Sequence, residues 1–155
     1  MKAVNLLLLA MMIGIELCVG VMVAPVIFYP QEFLGEGVLT QFQSGILMTQ
    51  IFIKFGYILL GVSVINTIFA LFSKELCSFS VRISKILLAL IILVLSAVFV
   101  FYFTDYIVKA QELGEVATQN AEFAGIHSAS EVVIKIMVVA QAFLFFLSFK
   151  TAKKI

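Results

Sequence analysis

The stretch VNLLLLAMMIGIELCVGVMVAPVIFY, residues 4–29, is apolar for more than twenty residues and carries one charged side chain, Glu16, near its middle. A helix needs about 20 such residues to cross a hydrocarbon core of about 30 Å. Three further stretches, residues 44–72, 83–107 and 132–149, read the same way. The chain has 155 residues, 63% of them hydrophobic and 12% charged, including sixteen Phe. A soluble domain of this size could not cover that much apolar surface. The expected fold is all-α: an integral-membrane antiparallel four-helix bundle forming one domain over residues 1–155. Met1 and Lys2 precede the first apolar run as in a secretory signal. That run exceeds the roughly 7 to 15 residues of a signal core, so it is expected to remain as the first span.

Basic residues set the expected orientation, because short cytoplasmic loops and tails retain Lys and Arg. Lys2, Lys74, Arg82, Lys85, Lys150, Lys153 and Lys154 fall on one side, with the short loop 73–82 and both termini, which are therefore expected to be cytoplasmic. The outer segments, residues 30–43 and 108–131, hold Glu32, Glu36, Glu112, Glu115, Glu122 and Glu131, with Asp105 at the end of the third span. Such a surface attracts cations. Asp105 and Lys109 stand at i, i+4, so the third helix should run past the bilayer, with Gly114 near its end. SASE, residues 128–131, has the form of a capping box and predicts that the fourth helix starts close to Ala129. Glu131 and Lys135 then form a pair near that start.

Polar groups inside the spans are the lead to function, because a charge at mid-bilayer costs about 2.5 to 3.5 kcal/mol on insertion scales unless it finds a partner. At 1.5 Å per residue, Glu16 lies roughly 20 Å and Lys54 roughly 15 Å below the outer boundary. The two charges are therefore expected to pair between neighbouring antiparallel helices. Gln50, Lys54 and Tyr57 form one polar stripe that should face protein, extending the Glu16 site. Glu16, Gly20 and Ala24 form a small-residue ridge. Gly14 and Cys18, with Ala10, form a second ridge for close helix contact, within the chain or in a dimer.

Other chemistries leave weaker marks. Cys18 and Cys77 belong to no zinc or redox spacing. Thioethers bind Cu(I), so Met22, Met48 and Met137, with Cys18 below and His127 above, outline a soft-metal path; packing is the ordinary role of such methionines. His127, the single histidine, lies with Asp105 at the expected outer entrance. No phosphate loop, HExxH, GxSxG or dinucleotide turn occurs, and no cofactor is implied by a strong motif. Nothing points to nucleic acid; the lipid bilayer is the expected partner, with a homodimer or partner membrane protein beside it.

VAPVIF, residues 23–28, FQSGILMTQIF, residues 42–52, and FAGIHSAS, residues 123–130, together resemble the small four-span membrane proteins of unknown function related to transmembrane protein 205. The matching positions are Pro25, Phe28, Gly45, Phe52, His127 and Ser130. That family is distantly similar to copper-resistance-D-type proteins and small haem-associated membrane oxidases. The resemblance implies a four-helix architecture in a bacterial inner membrane, and it raises the weight on His127. The first span lacks the histidine that a haem-associated relative would show. The leading expectation is a non-enzymatic membrane protein whose polar core around Glu16 supports movement or sensing of a small cation or proton. Assembly through the small-residue ridges, and copper or haem handling, are the alternatives.

Overall fold

The computed structural model describes residues 2–35, 37–73 and 77–152; Glu36, Lys74, Lys153 and Lys154 of the charge argument lie outside them. Four helices long and apolar enough to cross a membrane carry the fold: α1 (Lys2–Phe28), α2 (Gln41–Phe72), α3 (Phe79–Glu112) and α4 (Ala121–Ala152). Among the described residues there is no strand. Each helix packs on its sequence neighbours and α4 returns to α1, so an antiparallel ring closes. This is the all-α four-helix bundle that the apolar runs predicted.

Local chemistry sets the helix ends. Thr40 and Gln43 form a reciprocal capping box at the start of α2: Gln43 N–H donates to Thr40 Oγ1 at 3.2 Å, and Thr40 N–H donates to Gln43 Oε1 at 2.9 Å. The helix therefore begins earlier than the apolar run, because side chains take up its free amides. At its C-terminal end α3 runs on to Glu112, as the Asp105–Lys109 pair suggested, and that pair closes at 2.7 Å. Gly114 then adopts φ 102°, in the left-handed region where glycine carries no Cβ penalty.

The expected start of α4 is corrected. The helix begins at Ala121, with the Asn120 side chain accepting from Phe123 N–H at 2.8 Å. Ser128 sits within the helix, and the Ser130 hydroxyl donates back to the His127 carbonyl at 2.6 Å. Polar composition made residues 121–131 look like loop, whereas Ala, Glu and Phe there extend the helix once Asn120 caps it.

Two apolar clusters fill the ring. Leu9, Ala70, Ala89, Ile92, Ala140 and Leu144 lie toward the end holding both termini, and Met12, Phe55, Leu59, Val62, Phe99 and Met137 lie toward the middle. Hydroxyls tie α2 to α3 between them. Ser63 and Ser96 share a hydrogen bond at 2.9 Å, and Thr67 donates to the Ala89 carbonyl at 3.2 Å. Such short side chains let helices approach closely while leaving no hydroxyl unpaired in hydrocarbon. Gly56 serves the same contact, since a Cβ there would lie 3.0 Å from Val100 Cγ2.

Two helices widen where the bundle opens. Residues Val19–Val23 of α1 and Phe99–Thr104 of α3 form π turns, in which Ala24 N–H reaches the Val19 carbonyl and Thr104 Oγ1 donates to the Phe99 carbonyl at 2.9 Å. Pro25 follows the first of these directly. Its ring would press on the carbonyl four residues back in a tight helix and it donates no amide bond, so a wider turn before it relieves the clash. Up to Cys18, α1 packs against both α2 and α4; its last turns, Ala24–Phe28, pack on α2. The upper part of α1 thus leans away from α4.

Candidate functional site

That divergence leaves a cavity of about 820 Å³ between the upper halves of the helices. All four spans contribute to it. Its walls are largely apolar, with Phe28, Phe42, Phe52, Phe55, Phe99 and Phe123 among the lining residues. Both π turns face it through Val19, Gly20 and Val21 on α1 and through Phe99 and Thr104 on α3. Glu16 and Phe28 both line it, and the twelve residue steps from one to the other correspond to about 18 Å along the helix.

The inner end is closed. Phe52, Phe55 and Phe99 meet edge to face, with ring centroids 5.8 to 6.3 Å apart. Beyond them, Met12, Leu59 and Met137 are buried at 2%, 0% and 0% exposure. Aromatic rings in this geometry attract through their quadrupoles as well as through burial, which makes a firm floor.

Glu16 supplies the carboxyl at that floor. It is 5% exposed, and Oε1 accepts a hydrogen bond of 3.0 Å from Nε2 of Gln141, itself 1% exposed, on α4. Glu16 Oε2 and Gln141 Oε1 are buried without a hydrogen-bond partner. A carboxyl with an unmatched oxygen in a low-dielectric setting binds strongly any donor that reaches it.

The partner expected from sequence is corrected here. Lys54 is exposed, as are Gln50 and Tyr57, and among the described residues no ion pair joins Lys54 to Glu16. The stripe on α2 exists, but it faces away from the bundle. The buried face of α2 carries Ser44, Met48, Thr49, Ser63, Asn66 and Thr67 instead, because small and hydroxyl-bearing residues fit helix contacts better than a long lysine. Gln141 is the signal in the sequence, a lone amide in an otherwise apolar run, which charge matching alone does not single out as a partner.

At the other end, His127, Glu131 and Lys135 form a ladder along α4. His127 Nε2 lies 3.4 Å from Glu131 Oε1, and Lys135 Nζ lies 3.4 Å from Glu131 Oε2. All three line the cavity. His127 stacks on Phe123 at 6.1 Å, nearly parallel. Asp105 does not line the cavity; of the pair expected at an outer entrance only His127 does, beside Glu131 and Lys135. Between rim and floor, Gln111 Nε2 donates to Thr49 Oγ1 at 3.0 Å.

The small-residue ridges split. Gly20 and Ala24 line the cavity, while Gly14 and Cys18 are exposed. Nothing lies within 4 Å of a Cβ built on Gly14 or Gly20, so neither glycine serves a close helix contact within the chain. The soft donors are not brought together either. Met22 and Cys18 are exposed, Met137 is fully buried and within 3.7 Å of the Ser96 hydroxyl, and of the five only Met48 and His127 line the cavity. Among the described residues no three His, Cys, Asp or Glu side chains converge on a metal-sized site.

A family model described as a domain of unknown function, DUF4149, matches residues 7–116. The match names neither transmembrane protein 205 nor copper-resistance proteins, and it ends before α4, where His127 and Gln141 lie. No curated protein and no solved structure matches the chain.

Proposed function

The chain belongs to the DUF4149 family, an uncharacterised group, and from its geometry we propose that it is a non-enzymatic membrane protein that binds a small ligand on Glu16 within a blind cavity. One observation carries this reading. A buried carboxyl, half satisfied by Gln141, lines the end of a roomy, mainly apolar cavity. Pockets of about 300 to 1,000 Å³ with mainly apolar walls and few polar groups are typical of small-molecule sites. The volume here, about 820 Å³, falls in that range. A bare ion would leave most of that space unfilled and exchange its hydration for phenyl rings.

Sensing or holding a ligand fits better than conduction. A conducting path would need polar groups to continue past Glu16, and the next layer is Met12, Leu59 and Met137. The nearest hydroxyls beyond, Ser63 and Ser96, bond each other and their own helix carbonyls. Gln141 presents its amide to one Glu16 oxygen and leaves the other unmatched, so a ligand with a donating head could satisfy the carboxyl.

Two measurements test this. Native mass spectrometry of protein released from its own membranes should show a bound small molecule in the wild type, and Glu16→Gln should lose it while staying folded. Proteoliposomes should pass protons and sodium no faster than protein-free vesicles. Glu16-dependent flux would overturn the blind-cavity reading in favour of the cation or proton movement expected from sequence.

A further inference from the structure

We infer that the ligand is a membrane-dissolved amphiphile with a basic amine head, which enters sideways through a gap between α1 and α4. This rests on the reading above that Glu16 is a ligand anchor. The gap follows from the packing: up to Cys18, α1 packs closely on α4, whereas its last turns, Ala24–Phe28, pack on α2. The cavity lining on either side of the gap includes Leu17 and Val21 of α1 and Ile134 and Val138 of α4. Leu17 and Val21 are 50% and 70% exposed, so they stand both at the cavity edge and on the surface that faces hydrocarbon. Apolar side chains of both helices edge the gap, and Lys135, paired with Glu131, lines the cavity beside them on α4.

The chemistry of the cavity selects the head and the body. At the floor a carboxyl needs a donor, and an ammonium supplies both charge and several N–H groups. The rings of Phe52, Phe55 and Phe99 lie in the same lining as Glu16, and aromatic faces attract a cation as well as an alkyl chain. Acidic or phosphate heads are disfavoured, since they would bring a second negative group to Glu16. From the floor to the rim, about 18 Å of mainly apolar wall accommodates an alkyl or aryl body.

Carbodiimides read out access to Glu16. A carboxyl O–H adds across the N=C=N unit and the acyl group then shifts to nitrogen, so the whole reagent is retained on the side chain and is found by peptide mass spectrometry. In proteoliposomes, dicyclohexylcarbodiimide should modify Glu16. A water-soluble cationic carbodiimide should do so at least about tenfold more slowly, given the cost of bringing a charge into hydrocarbon. Dodecylamine should protect Glu16 and dodecanol should not. Gly20→Phe, at a position with open space around Cβ, should block labelling without unfolding the bundle. Equal labelling by the aqueous reagent would overturn the lateral route and leave the anchor intact. Protection by dodecanol as strong as by the amine would overturn the amine head. No labelling of folded wild-type protein by either reagent would overturn the reading of Glu16 as a ligand anchor.

Discussion

Replacing Gln141 by Met removes the only hydrogen-bond donor that the described structure gives Glu16 and keeps the side-chain length. Gln141 is 1% exposed and Glu16 5%, so water does not readily replace the lost bond. Stranding a buried polar group costs about 1 to 3 kcal/mol, and more if it is charged. Interhelical side-chain hydrogen bonds in membrane proteins couple by about 0.6 kcal/mol on average and about 1.7 kcal/mol at most. Gln141→Met should therefore destabilise the bundle by about 1 to 3 kcal/mol. Glu16→Met should be milder, because it leaves the neutral amide unmatched in place of a carboxyl. With both groups apolar the mismatch disappears, so the double variant should recover much of the loss. Reversible unfolding of the four proteins in detergent, followed by circular dichroism, gives the coupling. Strict additivity, within about 0.3 kcal/mol, would refute the pair as a contact between α1 and α4.

Other perturbations follow from single contacts. Thr40→Ala breaks the capping box and should cost about 1 kcal/mol, with faster amide exchange confined to the first turn of α2; unchanged exchange there would show that the cap contributes nothing. Gly56→Leu drives a side chain into Val100 and should destabilise by about 1 to 3 kcal/mol, by thermal unfolding in detergent. Gly14→Leu meets open space and should stay within about 0.5 kcal/mol of wild type. A large loss in Gly14→Leu would mean that a second chain covers that ridge. Lys54→Met should shift stability equally in wild-type and Glu16→Gln backgrounds, within about 0.3 to 0.5 kcal/mol, since the structure places no contact between the two residues.

The bundle was legible because length and hydropathy are coarse signals that lipid makes nearly sufficient: four apolar runs joined by three short connections leave few alternatives. The burial of Glu16 and its need for a partner were legible for the same reason. The partner's identity was not. Charge pairing favours Lys54, but which side of α2 faces protein is decided by packing, and Ser63, Thr67 and Gly56 already mark the opposite side as the close contact. The cavity was hidden as well. It arises from the π turns at Val19–Val23 and Phe99–Thr104, which add a residue to a turn without any change in composition. Pro25 was the visible hint, and its consequence appears only once the lean of α1 away from α4 is seen. The capping box at Thr40 and Gln43 was readable in LTQFQ, and the competing pattern in SASE drew the eye to the wrong loop.

The central claim is that Gln141, and not Lys54, holds the Glu16 carboxyl at the end of the cavity. Solid-state NMR dipolar recoupling in lipid, with the Glu16 side-chain carboxyl carbon and either the Gln141 amide nitrogen or the Lys54 amine nitrogen labelled, measures this directly. Strong dephasing from Gln141 is predicted, consistent with a 3.0 Å contact between Nε2 and Oε1, and none from Lys54. Dephasing from Lys54 with none from Gln141 would contradict it and restore the ion pair as the core of the molecule.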